Sequence, residues 1–285
     1  MTDAPRMTDE EAVDGTTAWQ QRGSSFGDGV DAYETTRPGY PVESVRWVLG
    51  TEPRDVLDLG AGTGLLTRVL AAEGHRTRAV EPDDAMRARV TATAPGAEAL
   101  AGSAESIPLP DASLDAVLVS HAYHWFDPAP AHAEIARVLR PGGVLATLWN
   151  LRDEEVPWSA ALSGILADED TGTDPRTPAA IMLHGALKAL RAQDTAWLTG
   201  WLRDPTFGPQ FGAVEQGFFP HSETKTIDSL VTLIKSRSYY LTSSPERRRE
   251  IEERIRELAT VHPELKSGNS FELPYVTVVF TTVRN

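Results

Sequence analysis

Two histidines three positions apart, His121 and His124, stand in the stretch "VSHAYHWFDPAP" at residues 119–130, among aromatic side chains. With an ordinary pKa of about 6.5, an imidazole can take a proton from a hydroxyl or ammonium nucleophile near neutral pH. The competing role is to orient a ligand or satisfy the end of a strand. A metal pair is the other chemistry such spacing suggests, but no third ligand of suitable spacing stands nearby and metal sites need three or more. No metal is expected. Tyr123 and Trp125 beside the histidines, with Trp149 and Trp158 further on, are candidates for a flat apolar substrate pocket, and an aromatic face also attracts a cation. Ordinary core packing is the alternative use of such rings.

A second chemical signal lies upstream, in "VLDLGAGTG" at residues 56–64. Val56, Leu57 and Leu59 read as a buried strand, and the helical pattern of Leu65, Leu66, Val69 and Leu70 starts directly after Gly64. A strand therefore feeds a helix through a glycine turn. Glycine has no Cβ and accepts positive φ, so the backbone can approach a ligand closely, while the new helix offers unpaired N–H groups. Asp58, Gly60, Ala61 and Gly62 are the candidate ligand-facing residues. Glu81 ends the next apolar run, "TRAVEP", and a carboxylate there can accept both hydrogen bonds of a ribose diol. Dinucleotides and S-adenosylmethionine share these needs. The dinucleotide fingerprint, however, requires a third glycine at the position occupied here by Leu65, and Glu81 would repel the 2′-phosphate of NADP.

These residues need a scaffold, and alternation supplies one. Strands are expected near 55–60, 76–81, 97–101, 115–121 and 143–149, with helices near 64–73, 83–93 and 128–139, a pattern that predicts a parallel sheet covered on both faces. "RPGG" at 140–143 reads as a helix stop. The chain divides into an acidic tail at 1–20 expected to be disordered, a cofactor-binding core at 21–150, a helical cap or substrate lid at 151–212, and strands and helices at 213–285 that complete the core sheet. Within the cap, Pro157 suits the first turn of a helix and 168–178 reads as a loop. In the last segment, helices are expected near 227–239 and 245–260, and "FELPYVTVVFTTVRN" as a long strand.

The 285 residues carry 27 basic and 41 acidic side chains, a formal charge of −14. That balance repels phosphate backbones and anionic lipid heads, so nucleic acid and membrane are not expected partners. There is no cysteine, which excludes disulfides and thiolate chemistry. The first residues lack the features of an export signal, and no stretch reaches the roughly 18 apolar residues of a membrane span. A cytoplasmic location is the expectation.

Taken together, "VLDLGAGTG", "VEP", "GSAESIPLPDASLDAV" and "EIARVLRPGGVL" resemble the class I S-adenosylmethionine-dependent methyltransferases, in the small-molecule branch with a type 11 methyltransferase domain. The resemblance spans residues 25–150; "SRSYY", "HPEL" and "FELPYVT" extend it more loosely. It implies a Rossmann-like α/β fold with a seven-stranded, mostly parallel sheet and a helical cap insertion. It also implies S-adenosyl-L-methionine as cofactor, with Gly60, Ala61 and Gly62 against its amino-acid and ribose part and Glu81 on the ribose diol. Pro82 and Met86 would lie beside the adenine, and Ala104 and Glu105 would meet its amino group. Tyr33 and Arg37 would close over the methionine end, with Arg37 suited to the cofactor carboxylate, and His121 would lie near the methyl donor. The implied reaction is methyl transfer to an O, N or C nucleophile of a small metabolite, aided by His124 or His121 where a proton must leave. A retained cofactor serving cyclisation or rearrangement, a noncatalytic sensor, and a nicotinamide dehydrogenase are the alternatives. The oligomeric state and the acceptor are left open.

Overall fold

The computed structural model describes residues 37–167, 185–192, 207–237, 240–241, 243–266 and 269–285. The acidic tail, Tyr33 and the 168–178 loop lie outside the described residues. In chain order the elements are α1 (Val42–Leu49), β1 (Asp55–Leu59), α2 (Leu65–Ala72), β2 (Arg76–Val80), α3 (Asp84–Thr93), β3 (Glu98–Leu100), β4 (Leu114–Ser120), α4 (Pro128–Val138) and β5 (Leu139–Arg152). There follow α5 (Pro157–Ala167), α6 (Ala186–Arg191), β6 (Glu215–Lys225), α7 (Ile227–Lys235), α8 (Pro245–Val261), α9 (Pro263–Lys266) and β7 (Phe271–Val283).

Among the described residues, seven strands form one sheet in the order β3-β2-β1-β4-β5-β7-β6. β1 to β5 pair in parallel, and β7 runs antiparallel between β5 and β6. The apolar strand runs are long because both faces are covered. Alternate residues point to opposite sides: Val56, Leu118 and Leu148 join α1 and α2 through Val45, Leu49, Leu66 and Leu70. Leu57, Leu59, Val119 and Leu145 turn the other way, to Ile135 and Val138 of α4. The strand order reverses between β1 and β4, and the carboxyl ends of these strands open a crevice there, which is where open α/β sheets bind ligands.

Two boundaries differ from the sequence expectation. "RPGG" does end α4, but the strand has already begun at Leu139, which pairs with Leu114 before the register shifts to Ala116 opposite Val144. The stretch is a bulge held by the C-terminus, with Gly142 N–H donating to the Arg284 carbonyl and Arg284 N–H to that of Gly143. The described helices of 151–212 are not a separate layer. α6 buries Ala186, Leu187 and Leu190 in the main core. α5 buries Trp158, Leu162 and Leu166 in a second core, shared with α7, α8 and the first half of β7. Apolar stripes on both helices require partners, and the sheet and its C-terminal helices supply them.

Trp158 fixes that second core. It is about 1% exposed, meets Phe271 edge-on at 5.3 Å between ring centroids, and its Nε1–H donates to Glu264 at 2.9 Å. Trp158→Ala is expected to destabilise the protein by about 3–5 kcal/mol, read from urea unfolding. A loss below about 1 kcal/mol would contradict this packing role.

Candidate functional site

The crevice is built from three turns. In the first, between β1 and α2, Gly60 and Gly62 take φ of 71° and 58°, a region that disfavours other residues. Gly60 has a second reason to be glycine: a Cβ there would come within 2.6 Å of the Ala122 Cβ, so the turn lies directly against the chain leaving β4. Gly64, also left-handed, stands at the N-cap of α2 without a side-chain cap. Backbone N–H groups of Gly60 and Ala61 both donate to the Val80 carbonyl and anchor the turn to β2.

In the second turn, between β2 and α3, the Glu81 carboxylate accepts from Gly62 N–H at 2.8 Å and from Asp83 N–H at 3.0 Å. Burial pushes its pKa up, against the lowering pull of those two bonds. Asp83 caps α3 by accepting from the N–H groups of Ala85 and Met86, both at 2.9 Å. Met86 is buried and Pro82 exposed at the same corner. Asp58 lies beneath the turn, fully buried. Its Oδ2 accepts from the Thr67 hydroxyl at 2.6 Å, and its Oδ1 has no hydrogen-bond partner among the described residues. Burial raises its pKa to about 7; the Thr67 bond opposes this and the nearby Glu81 charge adds to it.

The third turn follows β4. His121 takes φ of 50°, an uncommon conformation for a residue with a side chain and one that marks functional sites. Its Nε2 accepts from the Asn150 backbone N–H at 2.8 Å. That contact requires an unprotonated Nε2, so the neutral ring carries its hydrogen on Nδ1. Burial, with the positive charges of Arg237 and Arg37 adding to it, holds the imidazole well below its usual pKa. Asn150 is a hub. Its amide donates to the Gly39 carbonyl at 2.9 Å and to that of Pro38 at 3.4 Å, and its Oδ1 accepts from the Thr277 hydroxyl at 2.6 Å and meets His221 Nε2 at 3.3 Å. A small recess opens here, lined by Arg37, Tyr40, Leu65, His121, Asn150 and Arg237 among others.

The expected site residues divide accordingly. Asp58, Gly60, Ala61, Gly62 and Glu81 meet around the first two turns. Arg37 and His121 share the recess. Ala104 is buried, and Glu105 accepts from the Asp127 N–H at 2.9 Å, linking the turn after β3 to the start of α4. His124 sits on a short 3₁₀ turn, its ring 4.7 Å from that of Trp125 and 5.3 Å from that of Trp149. Trp149 is fully buried and also meets His121 edge-on at 5.4 Å, so it is a floor under both histidines and not an exposed wall.

Three expectations need correction. Tyr123 is a core residue: its hydroxyl bonds to His132 Nε2 at 2.6 Å and its ring packs on Phe126 and Phe207. Trp158 belongs to the second core, through the contacts given above, and not to the pocket. His121 is poorly suited to be the proton acceptor, because its basic nitrogen already holds the Asn150 N–H. Asn150, Arg237, Thr277 and His221 were not singled out from sequence. Asn150 left a signal, as a polar residue closing the apolar run "VLATLW"; Arg237 and Thr277 lie within "SRSYY" and "FELPYVT", and His221 in β6, all far along the chain from His121.

Comparison with known proteins gives one direction. A family model for the methyltransferase domain matches residues 57–147. An uncharacterised methyltransferase of Mycobacterium tuberculosis is 41% identical over 255 residues, covering 89% of this chain and 93% of that protein. An uncharacterised methyltransferase-like protein of Schizosaccharomyces pombe is 31% identical over 264 residues, covering 90% of this chain and 94% of its own. Among solved structures, a protein described as a type II methyltransferase from Anaeromyxobacter dehalogenans superimposes with a TM-score of 0.61 at 23% identity, over 87% of this chain and 97% of that one. This last likeness concerns the fold. No described helix is long and apolar enough to cross a membrane.

The buried carboxyl of Asp58 makes stability depend on pH. Its folded pKa of about 7 lies above the ordinary 3.8, so between these values the folded state holds a proton the unfolded state has lost. Stability from this group is therefore present below about pH 4, falls as pH rises to about 7, and is flat beyond, a loss of at most about 4 kcal/mol. Asp58→Asn is expected to gain stability relative to wild type by about 1–4 kcal/mol between pH 4 and pH 8 in parallel denaturant titrations. Curves that keep a constant separation would place the Asp58 carboxyl in a wetter setting.

Proposed function

Because the chain belongs to the class I S-adenosylmethionine-dependent methyltransferases, we propose that it binds S-adenosyl-L-methionine in the crevice between β1 and β4 and transfers a methyl group to a small metabolite. The observation that carries the cofactor site is the Glu81 carboxylate, buried beside the glycine turn. Each of its oxygens accepts a single backbone N–H, which leaves lone pairs for a ribose diol. The unpaired Asp58 Oδ1 is a second point of fit, since a buried acceptor without a donor is costly unless a ligand or water supplies one.

When bound, the cofactor supplies a methyl group on a cationic sulfur. The chain's own task is proximity and alignment, because an in-line displacement gains most from holding its reactants at attack distance. Gly60, Ala61 and Gly62 admit the ligand close to the backbone; Glu81 orients the ribose; Met86, Pro82, Ala104 and Glu105 border the adenine. Arg37 holds the carboxylate of the amino-acid end as a charge-assisted pair. His121, fixed by Asn150 and backed by Trp149, positions the donor end with its Nδ1–H. Trp125 borders the acceptor. Where the acceptor must lose a proton, His124 is the candidate base. The small recess and the acidic surface support a small-molecule acceptor over nucleic acid.

Calorimetry is the first test. Wild type is expected to bind S-adenosylhomocysteine and not NAD, and Glu81→Ala to bind it about 10- to 100-fold more weakly; unchanged affinity would remove Glu81 from the ribose. Incubation with methyl-labelled S-adenosylmethionine and a metabolite extract is expected to label a small acceptor. Tight binding with no label transferred would instead favour a sensor or a different reaction.

A further inference from the structure

One wall of the recess is a stretch with few means of holding itself in place. Arg37, Pro38 and Tyr40 are three of the seven residues that line it, and "RPGYP" at 37–41 forms neither helix nor strand before α1 begins. Pro38 and Pro41 have no N–H to donate. The backbone donors between them are those of Gly39 and Tyr40. Side chains from the later half of the chain take hold of this stretch. The Pro38–Gly39 peptide is trans, so its C=O and N–H point in opposite directions. Asn150 of β5 donates to the Gly39 carbonyl at 2.9 Å and to that of Pro38 at 3.4 Å, and Glu223 of β6 accepts the Gly39 N–H at 2.9 Å. The two strands that flank β7 thus hold one peptide from either side. It can neither rotate nor lift away without breaking a hydrogen bond.

The alternation of β6 explains why Glu223 reaches this peptide. Ser222 and Thr224, on either side of it, turn to the other face and donate their hydroxyls to the exposed Glu272, both at 2.6 Å. His221, two residues before Glu223 and on its own face, meets Thr277 at 3.1 Å and Asn150 at 3.3 Å through Nε2. The inward side chains at the end of this edge strand therefore converge on Asn150 and on the segment that Asn150 carries. A carboxylate accepting from a backbone N–H makes a charge-assisted bond, stronger than the neutral amide-to-carbonyl ties on the β5 side. Without Glu223 those weaker ties are left to hold the peptide from one side.

We propose that Glu223 is a positioning residue of the methyl-transfer site, which holds the 37–40 wall at the distance where it closes the recess on the bound cofactor. This rests on the reading that S-adenosyl-L-methionine occupies the crevice. Glu223 touches neither cofactor nor acceptor; it acts through the Gly39 peptide. When the tie is lost, the wall is free to move away from Leu65 and His121, which line the recess with it. A site that works by close placement of its ligand loses much of its effect when a wall shifts by about 1 Å.

Three variants separate the possibilities. Glu223→Ala removes the tie, Glu223→Gln keeps an acceptor oxygen of the same reach, and Glu272→Ala takes two hydrogen bonds from the same pair of strands while sparing the 37–40 segment. Calorimetry with S-adenosylhomocysteine is expected to show about tenfold weaker binding by Glu223→Ala, and binding within about threefold of wild type by the other two. Hydrogen exchange read by mass spectrometry follows the tie itself in the free protein. Because the prolines carry no amide, exchange within 38–41 reports on Gly39 and Tyr40 alone. Protection there is expected to fall at least tenfold in Glu223→Ala and to persist in the other two. Unchanged affinity or unchanged protection in Glu223→Ala overturns the proposal. So does an equal loss of affinity in Glu272→Ala, which would reflect a loosened sheet edge, or in Glu223→Gln, which would reflect charge alone. Free exchange of both amides in wild type overturns it without any variant. Each of these results leaves the cofactor reading intact, whereas a wild type that does not bind S-adenosylhomocysteine at all overturns that reading and the proposal with it.

Discussion

A carboxylate taken out of water must find donors, and Glu81 finds them in the backbone N–H groups of Gly62 and Asp83. That requirement joins the turn after β1 to the turn after β2 and sets the distance between them. Only a turn of left-handed glycines can bring its N–H to that point while lying flat against Ala122. The crevice is thus shaped by one buried charge and the absence of one Cβ. Whatever binds there meets a carboxylate edge and a stretch of bare backbone, which suits a polar diol and excludes a pyrophosphate next to the acid.

The opposite wall depends on Asn150 in the same way. One side chain and its own N–H tie together the 38–39 segment, the end of β4, and the β6 and β7 strands. The tautomer of His121 follows from this, because its Nε2 holds the Asn150 N–H. The second core serves the site from a distance. By packing α5, α7 and α8 on the first half of β7, it holds the end of α7, and hence Arg237, beside the recess.

What could be read from sequence follows the range of the interactions. The β1–turn–α2 unit, Glu81, Asp83 and the alternation of the first five strands are local, and their residues carry the pattern within a few positions. Tryptophans and tyrosines carry no such sign of which way they face. Trp158 and Tyr123 looked like pocket walls, and their burial is decided by Phe271 and Glu264 in one case and by His132 and Phe207 in the other. The segment at 151–212 read as a cap because it lacks strand periodicity, yet Leu187 and Leu190 are core residues of the sheet. The β5 bulge was illegible for a related reason, since the partner of Gly142 and Gly143 is Arg284 at the far end of the chain. Arg237, Thr277 and His221 gain meaning only once the antiparallel β7 sets them beside Asn150.

The central claim is that the acid at the end of β2 and the glycine turn after β1 together hold an adenosyl ligand. A crystal structure with S-adenosylhomocysteine tests it most directly. The account predicts both ribose hydroxyls within hydrogen-bond distance of the Glu81 carboxylate, the sulfur at the His121 end of the crevice, and the backbone of Gly60 to Gly62 in contact with the ligand. Density for the ligand elsewhere, or a Glu81 carboxylate that keeps only its backbone partners in the bound state, would contradict it.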